Sequence, residues 1–258
     1  MYNKNELIRQ IKALGIKPDD KILIHSSMKA IGVVEGGGDT VIDAFMDYLT
    51  GGLLVFPTHT WKQMNDDYNF FDPETEPSCV GILTNLFMKR ENAFRSLHPT
   101  HSVAASGKGA EEFIKGEENS ETPCSRTGCW GKLYDIDSKI IFLGCTLRSN
   151  TIIHGVEEWN DIPDRLTEEK HLYRIKLSDG SVIDRPIKRH YSLVGDVSEH
   201  YGKLLKPLLK QAIATTGTFG NAEVVVCKTR EMVDLTSDLL SRKPDLFADD
   251  SEIPSTWY

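Results

Sequence analysis

Apolar residues along the chain follow two rhythms. Leu7, Ile8, Ile11 and Leu14 recur at spacings of three and four, which predicts a helix over 5–14, ended by Gly15. Residues 21–25, KILIH, are an apolar run of strand length, and 53–56, LLVF, are a second, closed by Pro57. Between them lie a Ser- and Gly-rich loop over 26–38 and a helix over 39–49, with Val41, Ile42, Phe45 and Leu49 on one side. Strand, glycine loop, helix, strand is a βαβ unit, so its two strands are expected to pair in parallel.

Further on, 62–78 has no period and reads as a long functional loop. Residues 81–89 are expected to be helical, 102–106 extended, and 139–143 (KIIFL) a third buried strand leading to a helix that opens near Asn150. Residues 172–187 predict a β-hairpin around Asp179-Gly180. A helix over 198–214, kinked at Pro207, a strand over 222–227 and a helix over 230–240 complete the pattern. The class is α/β or mixed α+β, with a central, largely parallel sheet flanked by helices and an antiparallel hairpin insertion. No linker divides the chain, so 1–258 is read as one domain. Within 242–258, Leu246 and Phe247 are candidates to dock, and 251–258 reads as a tail.

Composition excludes several classes. With 30 Lys+Arg against 38 Asp+Glu the formal charge is −8, which argues against a nucleic-acid partner. No apolar stretch reaches the length of a membrane helix, and the first residues carry no signal-peptide core. Five cysteines, an odd number with no CxxC, point to reduced thiols and a cytoplasmic chain. Cys124 and Cys129 lack a second ligand pair, so no metal is expected. Acidic residues gather in two stretches: Asp66, Asp67, Asp72, Glu74 and Glu76, then Glu157, Glu158, Asp161, Asp164, Glu168 and Glu169. Each is either solvated surface or a rim for a cationic ligand.

The sharpest chemical signal is NTIIHGVEE over 150–158. Asn150 or Thr151 is placed to cap the helix, and Thr151, His154 and Glu157 or Glu158 share one face. A neutral imidazole there can take a proton from an amine or alcohol, oriented by the carboxylate. A surface His–Glu pair, or half of a metal site, fits the same spacing. His25, Ser26, Ser27 and the glycines at 36–38 stand at a strand's carboxyl end, where phosphates bind in α/β proteins. Arg95, His98 and His101 add anion contacts, whereas His59, His171, His190 and His200 have no evident partner. GxSxG, Walker A, HExxH, GxGxxG and the common acetyltransferase signature are absent.

Taken together, HSSMKAIGVVEGGGDTVIDAF, LLVFPT, RSLHPTHSVAASG, GKLYDIDSKIIFLGC, NTIIHGVE and GTFGNAEVVVCKTREMVDL, in that order, resemble the antibiotic (aminoglycoside) 3-N-acetyltransferase family. The likeness covers about residues 5–241, and that family is unrelated to the common acetyltransferase fold. The resemblance implies transfer of an acetyl group from acetyl-CoA, as cosubstrate, to an amine, within a ternary complex. It implies that His154 is the general base, that Glu157 polarises it, and that Ser102 and Thr151 lie near the thioester, with Thr151 or a loop N–H as oxyanion donor. His25, Ser26, Ser27, Gly32, Val33, Val34, Gly36 and Gly37 would hold the cofactor, with Arg95, His98 and Ser102. Trp61, Asp66, Asp67, Glu158 and Asp161 would border a cationic amine acceptor. A homodimer is the default assembly. A different amino-containing metabolite as acceptor, or a non-catalytic CoA or cation binder, remain the other readings.

Overall fold

The computed structural model describes residues 1–258. Helix α1 (Lys4–Ala13) opens on a capping box, in which Asn3 and Glu6 each accept the other's backbone N–H, and buries Leu7 and Ile11. Strand β1 (Lys21–Ser26) leads through a short helix, α2 (Met28–Ile31), to α3 (Gly37–Tyr48) and β2 (Leu53–Pro57). Then come β3 (Phe70–Phe71), α4 (Ile82–Phe87), β4 (Ala93–Arg95), β5 (Val103–Gly107), α5 (Ala110–Ile114), α6 (Cys129–Asp135) and β6 (Lys139–Leu143). Helix α7 (Thr151–Trp159), β7 (His171–Lys176), β8 (Val182–Ile187), α8 (Leu205–Lys210), β9 (Ala214–Phe219), β10 (Ala222–Lys228) and α9 (Thr229–Arg242) follow.

Seven strands form one sheet in the order β4-β5-β2-β1-β6-β10-β9. Its centre is parallel, β1 lying between β2 and β6 with Leu23 opposite both Val55 and Ile140. Both flanks are antiparallel. The central strands are continuous apolar runs because both of their faces are covered. Leu23, Val55, Ile140 and Phe142 pack with residues of α5, α6, α7 and α9. Ile22, Ile24, Leu54, Phe56, Ile141 and Leu143 pack with residues of α1, α3 and α4 on the other face. The expected hairpin is β7–β8, joined by β3 into a separate three-stranded sheet over Met64, Phe71, Tyr173, Ile175 and Ile187.

Three expectations about elements change. The helix read over 198–214 is a 3-10 segment, Val197–Leu204, then α8, then a turn, and its last residue, Ala214, opens β9. Thr215, Thr216 and Thr218 are β-branched, and Gly220-Asn221 turns this strand back into β10. Pro207 falls in the first turn of α8, where no backbone N–H is needed. Helix α6 was not legible, because its N-terminus is capped from elsewhere in the chain: the buried Glu117 carboxylate accepts the Cys129 N–H. The end of the chain is also no tail. Ile253 is buried with Leu246 and Phe247, and Trp257 and Tyr258 pack against the same core.

Gly131 lies where α6 crosses the preceding turn, and a methyl group there would overlap the Arg126 carbonyl. Both sides of that contact are backbone, so Gly131→Ala is expected to lower stability by about 1–3 kcal/mol, read from the urea midpoint.

Candidate active site

A cleft of about 560 Å³ opens at the carboxyl ends of the three parallel strands. His25 and Ser26 reach it from β1, Pro57 and His59 from the end of β2, and Ser149, Thr151 and His154 from the segment after β6. That is where an α/β sheet places ligands, because chain direction and helix N-termini converge there.

Helix α7 presents Thr151 and His154 to the cleft and turns Glu157 inward, fully buried. Tyr201, from the 3-10 segment before α8, stands between the imidazole and the carboxylate. Its hydroxyl is 2.6 Å from Glu157 Oε2 and 2.8 Å from His154 Nδ1. The hydroxyl carries one proton and Glu157 can only accept, so Tyr201 donates to Glu157 and accepts from His154 Nδ1–H. This assigns the tautomer and leaves Nε2 with its lone pair. Glu157 Oε1 accepts from Arg165 Nε at 2.6 Å. Burial pushes the Glu157 carboxyl up, but His154, Tyr201 and Arg165 outweigh it and hold it below its ordinary value.

Five more histidines surround this group. His190 stacks on His154 with ring centres 4.4 Å apart. His101 meets both His190 and His59 at 4.8 Å, and His59 Nε2 lies 3.0 Å from Thr151 Oγ1. Trp130 of α6 stacks on His59, and His25 stacks on Phe142. Burial, with repulsion from neighbouring rings as a smaller cause, pushes His59, His101 and His190 well below the usual histidine range. Burial alone lowers His25 to about 3, and His98 is lowered to about 4 mainly by burial. These rings are therefore neutral near pH 7, so His154 is flanked by imidazoles rather than by cations.

The structure brings Thr151, His154 and Glu157 together, and with them His25 and Ser26. Glu157 rather than Glu158 faces His154, at 3.6 Å from Nδ1. Asn150 precedes α7 but makes no side-chain cap; its amide reaches Met232 instead. Ser27, Gly32, Val33, Val34, Gly36 and Gly37 do not line the cleft. Val34 is buried and bridges Tyr2, and Gly32 abuts Asn221, whose amide nitrogen would stand 2.5 Å from an added methyl.

Arg95, His98 and Ser102 also have other work. Arg95 donates to Thr58 O and Oγ1, to Ser102 Oγ and to the Pro73 and Glu76 carbonyls, so it ties down the 62–78 loop. His98 is fully buried, with Nε2 on the Thr122 carbonyl and Nδ1 accepting the Thr100 and His101 N–H groups. Ser102 is equally buried and donates to Thr58 O.

The residues expected at the acidic rim lie as follows in the fold. Of the proposed acceptor residues, Trp61 alone lines the cleft. Asp66 pairs with His171, Asp67 is exposed elsewhere, Glu158 is turned to His190, and Asp161 occupies a left-handed turn after α7. The cleft's carboxylate is Asp196, paired with Arg148, and Arg189 also lines the cleft. Sequence reasoning missed Tyr201, Arg165, His59, His190 and Asp196, which come from separate segments with no local motif.

The site is thus a cleft at the end of an α/β sheet, holding an imidazole whose Nε2 is free and which is backed by a buried carboxylate. The chain belongs to the aminoglycoside 3-N-acetyltransferase family, whose model matches residues 23–241. Aminoglycoside N(3)-acetyltransferase IV of Salmonella sp is 27% identical over 249 residues, covering 95% of this chain and 90% of that protein. Aminoglycoside N(3)-acetyltransferase VII of Streptomyces paromomycinus is 25% identical, covering 90% and 88%. Among solved structures, a histidine-to-alanine mutant of AAC(3)-IVa in complex with a gentamicin is 26% identical, with a TM-score of 0.82, covering 95% of this chain and 91% of that one. AAC-IIIb, solved with CoASH, shares the fold at 21% identity and a TM-score of 0.82, covering 93% of this chain and 97% of that one.

Two outcomes follow from these environments. Arg95→Met removes the donors of buried carbonyls and is expected to lower stability by about 2 kcal/mol or more, read by thermal unfolding. His25 and His98 stay neutral in the folded chain but protonate below about pH 6.5 when unfolded. The unfolded chain then binds more protons, so stability falls with acidification, by up to about 1.4 kcal/mol per pH unit for each histidine. Urea titrations at pH 7, 6 and 5 measure this; a flat profile would contradict it.

Proposed function

We propose that this chain transfers an acetyl group from acetyl-CoA to the 3-amino group of an aminoglycoside, with His154 as general base. The observation that carries this reading is the assigned tautomer of His154: Nδ1–H is held by Tyr201, so Nε2 is the basic nitrogen in the cleft. An ammonium cannot attack a thioester until it loses a proton. His154 Nε2 takes a proton from the nitrogen as the amine attacks, and the imidazolium hands it to the CoA sulfur as the C–S bond breaks and the tetrahedral intermediate collapses. The imidazolium so formed is stabilised by Glu157, reached through the Tyr201 hydroxyl, as in a triad whose third member orients and neutralises the ring. Arg165 keeps the carboxylate ionised and in place.

Thr151 serves the tetrahedral intermediate. His59 Nδ1 is buried without a partner, so the better use of its proton is on Nε2, donated to Thr151 Oγ1. The Thr151 hydroxyl proton is then free for an oxyanion. Direct transfer is favoured over an acyl-enzyme because the thiols are poor nucleophiles. Burial pushes Cys145 up to about 11 and Cys124 well above its ordinary value. His25 and Ser26, at the end of β1 and lining the cleft, are the residues proposed to meet the donor. All five cysteines are free, which suits the cytoplasm, and a homodimer is the assembly we propose in solution.

A second acceptor class, an amino-containing metabolite with an anionic group, is favoured by Arg189. Its guanidinium lines the cleft, and its one hydrogen bond is to the Met64 carbonyl, not to a carboxylate.

His154→Ala is expected to lower kcat by roughly 10²–10⁴, and Tyr201→Phe by less, with KM for both substrates little changed. Release of CoA thiol with acetyl-CoA and a panel of amines measures both. Release with 3-amino aminoglycosides alone supports the first acceptor class, and release with amino acids or amino phosphates alone supports the second. Full turnover by the His154→Ala variant would remove His154 from the mechanism.

A further inference from the structure

Beside His154, where His190 stacks on its ring, three donors meet that the proposed reaction does not use. Cys124 Sγ, a Glu158 carboxylate oxygen and a His190 ring nitrogen all lie within 4.8 Å of one another. They arrive from three segments: the loop before α6, helix α7 one turn beyond His154, and the chain just after β8. Glu158 Oε1 already organises the other two, accepting the Cys124 N–H at 3.0 Å and lying 2.7 Å from His190 Nε2. Its second oxygen, Oε2, is buried and has no hydrogen-bond partner, although the side chain is only 4% exposed. A buried carboxylate oxygen left without a donor is costly, and such atoms call for an explanation.

We infer that Cys124, Glu158 and His190 form a zinc-binding site that anchors His190 against the ring of His154. Thiolate, imidazole and carboxylate are the three ligand types zinc takes in tetrahedral sites. A softer or harder metal fits this mixed set less well. Filled tetrahedral sites hold their donors ~3.5 Å apart, so the three side chains draw in slightly on binding. Metal binding converts the Cys124 thiol to thiolate and releases its proton to solvent. The charges then close, since a dication, a thiolate, a carboxylate and a neutral imidazole sum to zero. Zinc can therefore sit one ring away from the base without adding net charge beside it. The fourth position falls to water. The consequence for catalysis is positional: His190 is held flat against His154 at 4.4 Å. Cys129 is not part of this cluster: its thiol lies on the Phe113 carbonyl.

The test uses the full chain, purified without chelator or a metal-affinity tag. Zinc is measured by mass spectrometry, and cobalt(II) is titrated into stripped protein while near-ultraviolet thiolate-to-cobalt absorption is followed. The expected results are about one zinc per chain and a saturable charge-transfer band at one equivalent of cobalt. Cys124→Ser is expected to abolish the band, and His190→Ala to reduce bound zinc at least about tenfold, with far-ultraviolet circular dichroism unchanged. Cys79→Ser and Cys145→Ser, which alter the half-exposed thiols, should keep the band. Wild-type protein that retains no zinc and shows no cobalt band would overturn the proposal, whatever the variants do. A band that survives Cys124→Ser would overturn it equally, by placing the metal elsewhere.

Discussion

A carboxylate with no exposed surface has to be compensated, and the site depends on how Glu157 achieves it. Arg165 takes one oxygen at 2.6 Å and Tyr201 the other at the same distance. Truncating either partner would leave a charge stranded in a dry interior, which is among the most damaging changes a core can suffer. Because both oxygens are committed, the carboxylate cannot rotate, and Tyr201 in turn cannot rotate away from His154. A single desolvated charge thus fixes a chain of three side chains that ends at the imidazole facing the cleft. The ring's orientation and tautomer follow from that burial rather than from the spacing on α7 alone.

The sheet supplies the setting. Three parallel strands deliver their carboxyl ends to one edge, and the antiparallel flanks widen the sheet without adding a second such edge. Helix α7 can then bury Ile152, Ile153 and Val156 in the core while keeping His154 at the rim. Trp130 and Phe142 form an aromatic floor beneath the histidines. That floor explains their neutrality, since burial against flat apolar rings disfavours the imidazolium. Acid sensitivity of the fold therefore comes from the same desolvated surroundings that keep these rings neutral.

The acidic character of the chain has a different meaning in three dimensions. Asp72 pairs with Lys176, Asp66 with His171, and Glu76 accepts from Gln63 and Tyr68. Asp66 and Asp72 thereby staple the 62–78 loop to the small sheet, and Glu76 holds the loop together internally. Arg95 does the same from the other side, spending its donors on backbone carbonyls. Residue type was readable at each of these positions, but availability was not. A carboxylate or guanidinium is a ligand group only when the fold leaves it unpaired.

Local pattern determined a good part of this protein. The apolar runs at 22–24, 53–56 and 140–143 have the length and continuity of strands covered on both faces, and the βαβ unit follows from their order. The TxxHxxE spacing placed Thr151, His154 and Glu157 on neighbouring turns of one helix because helical periodicity is a local property. What only the tertiary structure decided came from distant segments: Tyr201 between His154 and Glu157, Arg165 behind the carboxylate, His59 on Thr151, and His190 with Cys124 at Glu158. Strand β9 and helix α6 belong with these, since a hairpin partner and a buried cap from Glu117 gave them form. Periodicity is written in neighbouring residues, whereas pairing, desolvation and the availability of a charge depend on which remote side chains packing brings within hydrogen-bond reach.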